Sequence, residues 1–174
     1  MKAIEIRKAD GSVFSEESLD GFIRYQNVEK VYSIENGILI RKNNGFVDDW
    51  SIERKREKAR EILSGRYVTY CAFLDGRVIG EIMLVPELNK GRLIIDSFHV
   101  SEDMRRHGCG RLLFQKALDH AKSRGARGIY VSSSPAAETV DFYTAMGFAP
   151  SKDIIESYAE DEPSDIQMEY LIEG

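Results

Sequence analysis

The sequence predicts an α+β fold, a mixed sheet of roughly six or seven strands flanked by about four helices. Two observations carry the sheet. Asn36-Gly37 and Asp75-Gly76 each lie between strand-like runs, and both are strong two-residue hairpin signals. A third carries the mixed topology. The apolar run Leu93 to Val100 passes through a glycine-bearing loop directly into a helix of clear period, from about Gly108 to Ser123.

The elements follow in order. Lys2 to Lys8 alternates like a strand. Ser15-Glu16-Glu17-Ser18 offers a helix cap, and Leu19, Phe22, Ile23 and Tyr25-Gln26 continue an amphipathic helix. Lys30 to Glu35 and Gly37 to Lys42 form the first hairpin. Ser51 to Leu63 reads as a helix with Ile52, Ala59, Ile62 and Leu63 as its apolar positions, and Gly65 ends it. Arg66 to Leu74 and Arg77 to Val85 make the second hairpin. Leu112, Leu113, Ala117 and Ala121 mark the buried stripe of the central helix, closed by Gly125. Gly128 to Ser133 is a further strand, and Ala136 to Met146 a helix with Pro135 at its start. Two terminal strands, Ile154 to Tyr158 and Ile166 to Ile172, bracket an acidic loop.

The bulk properties exclude several classes. A length of 174 residues suits one domain that buries its core without metal or disulfide support. No apolar run reaches membrane-spanning length, and the start of the chain has no secretory apolar region, so the expected location is cytoplasmic. A net charge of −5 argues against nucleic acid as a partner. Cys71 and Cys109 form no disulfide framework, and His99, His107 and His120 have no metal-ligand spacing, so no metal is implied.

The segment Arg105-Arg106-His107-Gly108-Cys109-Gly110-Arg111 is the most informative in the chain. Its glycines let the backbone approach a ligand and turn N–H groups toward one point, and the helix behind adds its positive dipole end. The arginines add charge-assisted donors. That combination suits a pyrophosphate. Here the chain resembles the GNAT N-acetyltransferases, whose acyl-CoA loop reads Gln/Arg-x-x-Gly-x-Gly/Ala between a strand and a helix. Asp141-Phe142-Tyr143-Thr144-Ala145-Met146-Gly147-Phe148 is similar to the family's Phe-Tyr-x-x-x-Gly-Phe segment at the matching distance downstream. The likeness runs from about Tyr67 to Gly147.

The resemblance implies the GNAT fold over residues 1–174, with an acyl-CoA-binding core at about 67–148. The early helices and the C-terminal hairpin would wall the acceptor site. It implies acetyl-CoA as co-substrate, its pantetheine arm paired with the backbone of Phe98, His99 and Val100, and its pyrophosphate on the N–H groups of Arg106 to Arg111. Tyr143 matches the family tyrosine that protonates the departing thiolate. Many members carry an asparagine seven residues before that tyrosine, where this chain has Ala136; either Ser133 or Ser134 would then supply the polar contact, or the contact is absent.

Acyl transfer to an amine also needs a proton acceptor, because an alkyl ammonium with a pKa of about 10.4 is charged at neutral pH. Asp96 is the first candidate: alternation places it on the face of Phe98 and Val100, and burial among Ile94, Ile95 and Phe98 would raise its pKa. Glu81 on the adjacent strand is the second. Cys109 beside His107 invites a covalent reading, but direct transfer needs no such residue.

Acidic stretches at Asp48-Asp49-Trp50 and between Glu156 and Asp165 would attract a cationic acceptor, a small-molecule amine ahead of a protein one. The reading is therefore direct acetyl transfer to a primary amine. The alternative, a non-catalytic acyl-CoA-binding sensor, would need neither Asp96 nor Tyr143. Edge strands near the C-terminus would allow a homodimer.

Overall fold

The computed structural model describes residues 2–174. Strand β1 (Glu5–Lys8) is followed by β2 (Tyr25–Glu35), β3 (Ile38–Asp49), α1 (Ile52–Leu63), β4 (Val68–Leu74), β5 (Arg77–Leu84) and β6 (Arg92–Val100). A short 3₁₀ turn (Glu102–Met104) leads to α2 (Cys109–Ser123), β7 (Gly128–Ser133), α3 (Ala137–Met146), β8 (Ala149–Pro150), α4 (Glu156–Asp161) and β9 (Ile166–Leu171). Seven strands make one mixed sheet in the order β1-β4-β5-β6-β7-β9-β8. Its single parallel pairing, β6 with β7, comes from the crossover that α2 spans. The remaining two strands, β2 and β3, form a separate ribbon.

Local chemistry explains the elements that match expectation. Asn36 and Gly37 (φ 53° and 77°) and Asp75 and Gly76 (φ 53° and 77°) all occupy the left-handed region that a tight hairpin turn requires. The Ser51 hydroxyl caps α1 by accepting the Arg54 N–H. Gly147 closes α3 at φ 105°.

The core lies on both faces of the sheet. On one, Leu113, Ala117 and Ala121 of α2 cover Ile79, Ile82, Leu93 and Ile129, all essentially without exposure. Each such large side chain contributes about 1.5–3 kcal/mol by leaving water. On the other, Ala59 and Ile62 of α1 pack with Phe14, Leu19, Phe22, Cys71, Val78 and Met83.

Three expectations are corrected. The segment after Ser15 is not a helix. It closes in successive short turns (Ser18 N–H to Ser15 O, Asp20 N–H to Glu17 O, Phe22 N–H to Leu19 O), and Phe14, Leu19 and Phe22 anchor it against α1. Tyr25-Gln26 then begins β2. The expected strand from Ile154 to Tyr158 is replaced by α4: Ile155 and Tyr158, one helical turn apart, pack on Ile94 and Tyr130, and the Ile155 N–H donates to the Tyr130 hydroxyl. The edge partner of β9 is Ala149–Pro150 instead. The first strand begins only at Glu5.

Candidate functional site

Strands β6 and β7 pair from Arg92 and Gly128 as far as Ile95 and Val131, and no further. Beyond that point β6 stays with β5, while Ser132 and Ser133 stay with β9, which pairs with β7 along its whole length. The two strands therefore part, and one backbone edge of residues 96–100 loses its neighbour. A cavity of about 510 Å³ opens there, a size suited to a small-molecule site.

Most of the predicted residues meet in this cavity. Asp96, Phe98, His99 and Val100 line it from β6, Arg105, Arg106 and Gly110 from the loop and the start of α2, and Ser133, Ser134 and Tyr143 from the opposite wall. The helix begins as the glycine pattern requires. Gly108 takes φ 84° at the N-cap and Arg106 φ 64°, and the Leu112 N–H is bonded to the Gly108 carbonyl. The first-turn N–H groups before Leu112 have no acceptor within the helix, as at every helix start. Gly110 sits against Phe142: a Cβ there would lie 3.0 Å from the ring.

Other predicted residues stand apart. His107, Gly108 and Arg111 are exposed at the rim of the helix start. The Cys109 thiol points into the core, where a Cβ on Gly80 would meet its sulfur at 2.8 Å, and burial pushes its pKa up to about 12. It stays protonated, which removes the covalent reading. The Arg105 guanidinium is occupied in part by the Tyr25 carbonyl (2.8 Å) and so also ties β2 to the loop.

Asp96 departs from simple alternation. Met83 pairs with Ser97 and Leu84 with Ile95, so Asp96 is the unpaired residue of a bulge. Its side chain is exposed rather than enclosed by Ile94, Ile95 and Phe98. Loss of hydration between strand and helix still raises its pKa, with Lys58 opposing and Glu61 and Glu81 adding. Glu81 is fully buried behind the cavity wall and accepts hydrogen bonds from the Ser97 hydroxyl (2.8 Å) and His99 Nδ1 (2.6 Å).

Tyr143 is a buried residue of the cavity wall. Its ring packs edge-on to Phe98, Phe142 and Phe148 at centroid distances of 6.2, 5.6 and 5.1 Å, and burial pushes its hydroxyl pKa well above the ordinary phenol value. Ser134 Oγ accepts the Ala136 N–H, whereas the buried Ser133 hydroxyl donates to the Ser134 carbonyl.

Several lining residues were not foreseen. Arg24 and Gln26 come from the segment misread as helical, and Ser132, Glu138 and Thr139 from the opposite wall. Only their neighbours Ser133, Ser134 and Tyr143 carried a signal. The two acidic stretches also resolve. Asp48 pairs with the buried Arg24 (2.8 Å), and Trp50 stands edge-on to His99 at 4.9 Å. Glu156, Glu160, Asp161 and Glu162 are exposed on and after α4. Asp165 is half-buried, accepts the Ser132 hydroxyl, and is raised by burial to about 6. His120 is half-buried beside the Tyr70 hydroxyl (3.3 Å).

The sequence model of the Acetyltransferase (GNAT) family matches residues 28–148. The chain belongs to the GNAT acetyltransferase family. Solved GNAT structures share its fold. A proposed streptothricin acetyltransferase from Bacillus anthracis, in complex with acetyl coenzyme A, has a TM-score of 0.75 at 17% identity, covering 98% of this chain and 99% of that one. Nourseothricin acetyltransferase gives 0.74 at 18% identity, covering 97% and 98%. The PaiA N-acetyltransferase from Thermoplasma acidophilum, in complex with coenzyme A, gives 0.64 at 20% identity, covering 98% and 99%. No curated protein matches the chain in sequence. Among the described residues no helix of this GNAT protein is long and apolar enough to cross a membrane.

Proposed function

We propose that this GNAT protein transfers the acetyl group of acetyl-CoA to a primary amine by direct attack. The observation that carries the proposal is the parting of β6 and β7 after Ile95 and Val131, with the glycine loop and Tyr143 both lining the cavity there. The unpaired backbone edge of Phe98, His99 and Val100 would take the pantetheine arm as an added strand. The first turn of α2 would take the pyrophosphate, with Arg106 beside it. Solved relatives carrying acetyl coenzyme A or coenzyme A support that assignment.

In the step itself the amine nitrogen bonds to the thioester carbon, and the C–S bond breaks with its electron pair on sulfur. A backbone N–H near Val100 would steady the oxyanion. Tyr143, whose raised pKa keeps its proton on, would give it to the thiolate. The acceptor side lies across the sheet from α2, where the bulged Asp96 and the half-buried Asp165 favour a cationic amine. Two of the similar structures are named for streptothricin and nourseothricin, which supports a small-molecule acceptor. Thiol release from acetyl-CoA against a panel of small amines tests the proposal; release that requires amine is the expected result. Binding without release from any amine would favour a sensor in place of an enzyme.

A further inference from the structure

Glu81 and His99 are cross-strand partners, paired in register between β5 and β6. Their side chains meet at 2.6 Å through Nδ1 and Oε1, and the Ser97 hydroxyl donates to the same oxygen at 2.8 Å. Burial alone would raise the Glu81 pKa, but the hydrogen bond from His99, with Lys58 and Ser97 behind it, keeps the carboxylate below its usual range. An ionised carboxylate only accepts, so Nδ1 carries the proton and Nε2 is left as the basic nitrogen. Trp50 packs edge-on to the imidazole at 4.9 Å and limits its rotation.

The charged groups around the ring come from several elements: Glu81 on β5, Lys58 on α1, and Arg24 ahead of β2. Loss of hydration dominates over Glu81, and the two cations add to it, so the His99 pKa falls below that of free histidine and the imidazole is neutral at pH 7. His99 still faces the cavity with 22% of its side chain exposed, whereas Glu81 has 2%.

We infer that His99 is the general base of the acetyl transfer and Glu81 its positioning residue, with Asp96 holding the incoming ammonium. This rests on the transfer reading above. The ammonium gives one proton to His99 Nε2. The freed lone pair attacks the thioester carbon, the C–N bond forms and the C–S bond breaks. A second N–H proton leaves the adduct as Tyr143 protonates the thiolate, and Tyr143 regains its proton from the adduct through water. His99 then releases its proton to solvent. The net products are the amide, free CoA thiol and one proton.

The test is a pH–rate profile on the full chain with an amine that wild type accepts. The wild-type kcat/KM should rise with pH to a plateau, with its inflection below pH 6.5, the direction set by the lowered His99 pKa. His99→Ala should lose about 10²–10⁴-fold in kcat, typical of a lost general base, while titration with acetyl-CoA shows binding retained. Its residual rate should climb toward the amine's own pKa, and added imidazole should restore part of it. His99→Gln keeps a donor toward Glu81 without a basic nitrogen, and should behave likewise if the alanine variant fails to fold. Glu81→Gln should lower kcat and move the inflection to lower pH. Asp96→Asn should raise the amine KM and leave the inflection in place. A His99 variant with the wild-type rate and inflection, or an Asp96→Asn profile without one, overturns the assignment. A wild-type protein that binds acetyl-CoA but acetylates no amine would instead defeat the transfer reading itself.

Discussion

Ile95 and Val131 are the last paired residues of the parallel strands β6 and β7, and the site begins where their pairing ends. The residues that follow diverge, β6 holding to β5 on its other side and β7 to β9. An opening between two otherwise continuous strands exposes backbone donors and acceptors inside a protein, an arrangement that is stable only when water or a ligand satisfies them.

Gly108 tests the loop. Its φ of 84° makes any side chain there costly by about 1–2 kcal/mol, yet a Cβ would meet nothing within 4 Å. Gly108→Ala should therefore lower Tm by several degrees while leaving acetyl-CoA affinity within a few-fold. Gly108→Glu adds a negative charge at the helix start and should weaken binding by at least about tenfold more than alanine does. Calorimetric titration of both variants separates strain from charge.

Tyr143→Phe should lower kcat by about 10²-fold or more and leave the acetyl-CoA Kd within about twofold, since the aromatic packing with Phe98, Phe142 and Phe148 is kept. A wild-type turnover would return Tyr143 to a purely structural role.

Gly80 controls how closely α2 approaches the sheet. A Cβ there would lie 2.8 Å from both Cys109 Sγ and Leu113 Cδ1. Gly80→Ala should cost about 1–3 kcal/mol through overpacking and weaken acetyl-CoA binding by displacing the helix start. Combining it with Cys109→Ala should recover part of the stability, as chemical denaturation of both variants and the double mutant would measure.

Asp103 gives a pH signature. The hydrogen bond from Arg77, joined by the Ser101 hydroxyl, lowers its pKa to about 2. A carboxylate depressed in the folded state stabilises above its unfolded pKa of about 3.9, and that contribution disappears as pH falls toward 2. The Tm gap between wild type and Asp103→Asn should be present at pH 6 and close as pH approaches 2. Both partners are more than a third exposed, so the gap should also shrink in high salt.

Much of the fold was legible because its signals are local. Ser51 caps α1, two Asx-Gly pairs set the hairpins, and the glycine loop sits between a strand and a helix, each within a few residues of what it determines. Features set by distant partners were not legible. The turns after Ser15 exist because Phe14, Leu19 and Phe22 dock on α1, and α4 forms because Ile155 and Tyr158 dock on Tyr130. The site divides in the same way. Tyr143 and the loop were carried by motifs, whereas the bulge that releases Asp96 from its alternation and the register that joins Glu81 to His99 depend on cross-strand pairing. Arg24 reaches the cavity from a segment whose sequence reads as a helix.

The most direct measurement is calorimetric titration of the purified protein with acetyl-CoA, followed in the same preparation by thiol release against small primary amines. Saturable one-site binding, lost in Gly108→Glu, with thiol release that depends on amine, is the expected result. Absence of binding would contradict the assignment of the gap between β6 and β7 as the acyl-CoA site.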